Sequence, residues 1–134
     1  MAKILIVEDD KSIRDLYEAK LKIHNFDVFT AENGKDGIAI AEKELPDIIL
    51  LDIMMPVMNG FEALKKLRDK SETKDIPVIV LSNAGEIDQV TKGFLTSATD
   101  YLTKADHTPS DVLEIINETL KTKGNIAGIA FKEE

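Results

Sequence analysis

Ile48-Ile49-Leu50-Leu51 is apolar at every position and stops abruptly at Asp52. A strand with one face in water alternates apolar and polar residues, so an unbroken run this short reads as a central strand covered on both faces. Similar runs occur at Ile4–Val7 and Val78–Leu81, with shorter ones at Asp27–Thr30 and about Asp100–Leu102. Helix-period stretches separate them. The first covers roughly Lys11–His24, with Ile13, Leu16, Tyr17 and Leu21 on one face. The second, about Lys35–Glu44, is started by Asn33-Gly34, turns Ile38, Ala41 and Leu45 inward, and is stopped by Leu45-Pro46-Asp47. A third carries Phe61, Leu64 and Leu67 as its buried stripe, and a thin fourth, about Ile87–Leu95, is weakened by Gly93. Thr108 caps a last helix with Pro109 in its first turn, Val112, Leu113, Ile116 and Leu120 facing inward, and Gly124 at its end. Alternating strands and helices define an α/β fold with a parallel sheet and right-handed crossovers.

A chain of 134 residues accommodates one domain with a full core, here expected over residues 1–123, leaving 124–134 as a tail or linker. That tail, with Ile126, Ile129 and Phe131, could pair with a sheet edge or a partner. No apolar run approaches the roughly 20 residues of a membrane span. Met1-Ala2-Lys3 leads directly into a strand, without the pattern of a signal peptide, and there are no cysteines. Both features fit a cytoplasmic protein. Lys and Arg total 17 against 25 Asp and Glu, a net charge of −8, which argues against direct binding of nucleic acid. The basic stretches Lys65-Lys66 with Arg68, and Lys121 with Lys123, read as solvated surface.

Neighbouring parallel strands end on the same edge of the sheet. Glu8 and Asp9 follow the first strand, Asp52 the third, Ser82 the fourth and Lys104 the fifth. Taken singly, Asp52 is a turn aspartate, Asp9 or Asp10 a helix cap, Ser82 a turn residue, Lys104 a surface lysine and Tyr101 a half-buried edge aromatic. Together they bring acids, a hydroxyl and an ammonium to one rim. Converging carboxylates repel one another unless a cation lies among them, and a hard divalent ion with oxygen ligands suits them. Asp52 would then be a nucleophile toward phosphorus, with Ser82 donating to a phosphoryl oxygen and Lys104 gripping the phosphate.

Val7-Glu8-Asp9-Asp10, Leu50-Leu51-Asp52-Ile53-Met54-Met55-Pro56-Val57-Met58-Asn59-Gly60, Leu81-Ser82 and Tyr101-Leu102-Thr103-Lys104 together resemble the receiver domain of two-component response regulators, over about residues 3–122. The resemblance implies a doubly wound, five-stranded parallel sheet of flavodoxin-like order 2-1-3-4-5 with helices on both faces. It implies that Asp52 is the phosphoacceptor. Asp9, Asp52 and the Met54 carbonyl would bind Mg²⁺ (or Mn²⁺) directly, with Glu8 acting through a water. Lys104 and Ser82 would hold the phosphoryl oxygens, and Tyr101 would turn inward on activation. The donor would be a sensor histidine kinase or a histidine phosphotransfer protein. The switched surface would be that of the fourth helix, fifth strand and fifth helix, and it would bind a downstream protein. The chain would be a monomer or a phosphorylation-dependent dimer that turns over no external substrate.

With no output domain after residue 124, a stand-alone regulator is expected, or a piece of a larger one. Relatives usually carry proline after the site lysine; here Ala105 predicts a trans bond or a reshaped loop. Asn83 and Ala84 also depart from the usual pattern, and Ala84 suggests slow self-dephosphorylation. Two rival readings are a receiver kept only as a binding surface and a Mg-dependent aspartyl-phosphate phosphatase. The second lacks an acid two residues after the nucleophile, where Met54 stands.

Overall fold

The computed structural model describes residues 2–53, 55, 57–82, 98–104 and 107–128, with side chains as far as 122. The chain runs β1 (Lys3–Val7), α1 (Lys11–Ile23), β2 (Asp27–Ala31), α2 (Gly34–Glu44), β3 (Ile48–Asp52), α3 (Gly60–Asp69), β4 (Val78–Ser82), β5 (Asp100–Thr103) and α4 (Pro109–Gly128). The expected helix at 87–95 lies outside the described residues. All strand pairs are parallel, in the order β2-β1-β3-β4-β5. The fold is therefore the doubly wound α/β sheet that the sequence predicts.

Period-two alternation along the strands divides the core in two. Leu5, Val7, Ile49, Leu51, Val78 and Val80 face α2 and α3, meeting Ile38, Ala41, Ala63, Leu64 and Leu67. Ile4, Ile6, Leu50, Ile79 and Leu81 face the opposite way, toward Tyr17 and Leu21 of α1 and Val112, Leu113 and Ile116 of α4. Every residue of β3 and β4 is buried. Each such aliphatic side chain contributes roughly 1.5–3 kcal/mol on burial, so the middle of the sheet anchors the domain.

The helix starts are set by side chains that accept otherwise unmet backbone N–H groups. Asp10 accepts from Ile13 N at 3.1 Å, Asn33 from Asp36 N at 2.8 Å and Asn59 from Glu62 N at 3.0 Å. Thr108 and Asp111 cap each other reciprocally at 3.0 and 3.1 Å.

Four sequence expectations need correction. Leu16 is exposed rather than inward: Ile13, Tyr17 and Leu21 align at four-residue spacing, and Leu16 is turned about 100° from Tyr17 around the helix. Leu45 is also exposed, because it is the C-cap of α2 with φ 48°, and the left-handed turn swings its side chain out of the helical stripe. Phe61 is only partly buried, at the margin of the stripe that Ala63, Leu64 and Leu67 complete. Finally, α4 continues through Gly124 to Gly128. Glycine in a helix costs about 1 kcal/mol, which weakens the helix without ending it unless the backbone turns left-handed there. No described helix is long and apolar enough to cross a membrane.

Candidate functional site

The chain leaves β1 toward β2 on one side and returns to β3 on the other, so a crevice opens beyond the ends of β1 and β3. Val7 lies beside Leu51, which places Glu8 next to Asp52. Ligand oxygens of Glu8, Asp9 and Asp52 all fall within 4.8 Å of one another. Glu8 and Asp52 are buried, while Asp9 is exposed at the mouth. The acids of the β1–α1 loop have separate roles. Asp10 caps α1, which leaves Asp9 to the cleft.

Lys104 reaches into this cluster from the end of β5. Its Nζ lies 2.8 Å from Glu8 Oε1 and 3.4 Å from Asp52 Oδ1. The second oxygen of Glu8 accepts from the Asp10 backbone N–H at 3.2 Å, and Arg14 Nη1 donates to the Glu8 carbonyl at 2.8 Å. Glu8 is thus tied by side chain and backbone, with a bracing role for Arg14 that the sequence did not reveal. Tyr17 was also missed: its buried phenol lies within the electrostatic reach of Lys104 and Glu8, and burial raises its pKa.

One ammonium among three carboxylates leaves an excess of negative charge. Burial, then the hydrogen bond and charge of Glu8, push the Asp52 carboxyl up to about 8, against the opposing pull of Lys104. Burial alone would lower Lys104, but its hydrogen bond to Glu8 and the charges of Asp52 and Glu8 outweigh that and raise it. The two shifts make competing demands on Asp52, which Lys104 favours in its ionised form. Distance decides between them: the nearer Glu8 is the main partner of Lys104, and Asp52 carries the unmet charge. A divalent cation would cancel that excess, and three converging hard oxygens are a donor set that suits Mg²⁺.

Ser82, at the end of β4, is fully buried, and its hydroxyl donates to the Leu102 carbonyl at a long 3.4 Å. Tyr101 sits on the edge strand β5 and is 37% exposed. Met54, Asn83, Ala84 and Ala105 lie outside the described residues, so the expectations placed on them do too. The loop after Asp52 is pinned by the Gly60 N–H, which donates to the Ile53 carbonyl at 2.7 Å, and by the Asn59 cap.

A doubly wound α/β domain with an acidic crevice at its switch point is the architecture of a receiver. Residues 4–117 match the response regulator receiver domain, and the chain belongs to that family. It is 43% identical over 104 residues to protein PilH of Pseudomonas aeruginosa, covering 78% of this chain and 86% of that one. It is 41% identical over 116 residues to the DNA-binding dual master transcriptional regulator RpaA of Synechocystis sp., covering 87% of this chain but only 46% of RpaA. Among solved structures, the chemotaxis protein CheY4 of Vibrio cholerae superposes with a TM-score of 0.80 at 34% identity, covering 88% of this chain and 98% of that one.

Proposed function

We propose that Asp52 accepts a phosphoryl group from a phosphohistidine on a sensor histidine kinase or a histidine phosphotransfer protein. The observation that carries this reading is the convergence of Glu8, Asp9 and Asp52, with Lys104 inserted between Glu8 and Asp52. An Asp52 carboxylate oxygen attacks phosphorus in line. The P–N bond to the donor imidazole breaks, its electrons stay on that nitrogen, and an acyl phosphate forms. Such transfer needs placement and charge neutralisation more than covalent assistance. Lys104 would follow the new phosphoryl oxygens as a point charge, leaving Glu8 held by the Asp10 N–H, a reading supported by its ion pair with Glu8 at the crevice. The Ser82 hydroxyl, weakly held at 3.4 Å, is free to exchange the Leu102 carbonyl for a phosphoryl oxygen.

Glu8, Asp9 and Asp52, with the Met54 carbonyl, would hold Mg²⁺ or Mn²⁺, which supplies positive charge against the transferring group. The phosphorylated form then favours a second arrangement of Ser82 and Tyr101, and the surface around β5 and α4 recruits a downstream protein in the cytoplasm.

Incubation with phosphoramidate and Mg²⁺, read by intact mass, tests the assignment. The wild-type chain should gain one phosphoryl group and Asp52→Asn none. Equal gain by both would place the acceptor elsewhere.

A further inference from the structure

Three consecutive carbonyls converge on Arg14. Its backbone N–H donates to the Asp10 carbonyl at 2.9 Å, the ordinary opening bond of α1. Its side chain folds back past the start of the helix. There Nη1 donates to the Glu8 carbonyl at 2.8 Å and, weakly, to the Asp9 carbonyl at 3.4 Å. Those two carbonyls belong to the peptide groups on either side of Asp9. Each peptide is planar, so their orientations set the backbone angles of Asp9 and hence the direction of its side chain.

Asp9 needs such a hold. Glu8 and Asp52 are buried at strand ends, where packing places them, and the Glu8 N–H is fixed by the Ala31 carbonyl at 3.0 Å. Asp9 is exposed at the mouth of the crevice, between the end of β1 and the cap of α1. Mg²⁺ demands near-octahedral placement of its oxygens, so a carboxylate held in one direction binds it better than one that wanders.

The charge of Arg14 is otherwise out of place. A fixed cation repels a divalent ion, and by charge alone its removal would tighten binding. Among the described residues its guanidinium forms no ion pair with Glu8, Asp9 or Asp10; its donor points at carbonyl oxygens instead. We infer that Arg14 is a positioning residue for the divalent cation. It holds the two peptides flanking Asp9 so that the Asp9 carboxylate meets those of Glu8 and Asp52. The inference rests on the reading of this crevice as a Mg²⁺ site.

The sign of the effect separates a clamp from a nearby charge. Arg14→Met removes every side-chain donor, Arg14→Gln is polar but too short to span both carbonyls, and Arg14→Lys keeps a donor of similar reach. Calorimetric titration should show Mg²⁺ bound about tenfold more weakly by Arg14→Met and Arg14→Gln, and within about threefold of wild type by Arg14→Lys. In EDTA, amide exchange at Asp10, read by NMR, should be about tenfold faster in the first two variants, because the Asp10 N–H bond to Glu8 Oε2 depends on the same loop. Unchanged or tighter Mg²⁺ binding in Arg14→Met and Arg14→Gln overturns the inference, as does weaker binding with wild-type exchange. A wild-type chain that binds no Mg²⁺ instead removes the reading of the crevice, while exchange in EDTA still shows whether Arg14 holds the loop.

Discussion

Asp52→Asn should melt higher than the wild-type chain at pH 8.5 in EDTA, and the gap should close as the pH falls toward 4. The cause is the crowding of three carboxylates around one ammonium. Folding lifts the Asp52 carboxyl from its ordinary 3.8 to about 8. The native state therefore binds more protons than the unfolded chain between those values, and stability falls as pH rises through that window. Below about 4 both states are protonated and the penalty vanishes. Asparagine does not titrate, so the difference between the two melting curves isolates this group. At 1.36 kcal/mol per pKa unit the full shift would correspond to about 6 kcal/mol, but water entering the crevice beside the exposed Asp9 screens it to roughly 2–3 kcal/mol. For a domain of this size that is roughly 6–10 °C in Tm. Lys104 titrates above this window, its affinity for the proton being raised from an ordinary 10.5. Millimolar Mg²⁺ should narrow the gap by stabilising the wild-type chain more than the variant. Melting curves that stay parallel from pH 4 to 8.5 would contradict a raised Asp52 pKa.

The strands were legible because burial on both faces leaves an unambiguous mark: Ile48–Leu51 and Val78–Leu81 contain no polar residue. Asn33 and Thr108 were legible as helix starts because their chemistry is local, an oxygen within reach of an N–H three residues on. The convergence of Glu8, Asp9, Asp52 and Lys104 was legible because strand ends in a parallel sheet share an edge. Whatever depended on orientation was not. The angular position of Leu16 on α1 turns on a single step of the helix, and a simple apolar pattern does not resolve it. Leu45 faces solvent because its backbone turns left-handed, which its identity does not announce. Arg14 acts through backbone carbonyls of Glu8 and Asp9, and such contacts leave no pattern in side-chain types.

Of Gly34, Gly37 and Gly60, the last should be the most damaging to replace by alanine. An alanine Cβ at this position would lie 2.5 Å from the Asp52 carbonyl oxygen and 2.7 Å from the Ile53 Cα. Both obstacles are backbone, so neither can rotate away. Relief requires α3 to retreat from the end of β3, which lengthens or breaks the 2.7 Å hydrogen bond from the Gly60 N–H to the Ile53 carbonyl. Overpacking of this kind costs about 1–3 kcal/mol and the lost bond about 1 more. Gly37→Ala is the informative control. Its Cβ would meet Val7 Cγ2 at 2.7 Å, a side-chain atom on the same buried face, and the isopropyl group can shift a few tenths of an ångström. It should therefore lose roughly 1 kcal/mol, with the acidic crevice undisturbed. Gly60→Ala displaces Asp52, the residue proposed to accept the phosphoryl group, so phosphorylation by phosphoramidate and Mg²⁺ affinity should fall along with Tm. In Gly37→Ala only Tm should fall. Urea titration and the phosphoramidate rate, measured on both variants, separate the two outcomes. Equal loss of stability with normal phosphorylation in both would mean that the approach of α3 to Asp52 does not position the site.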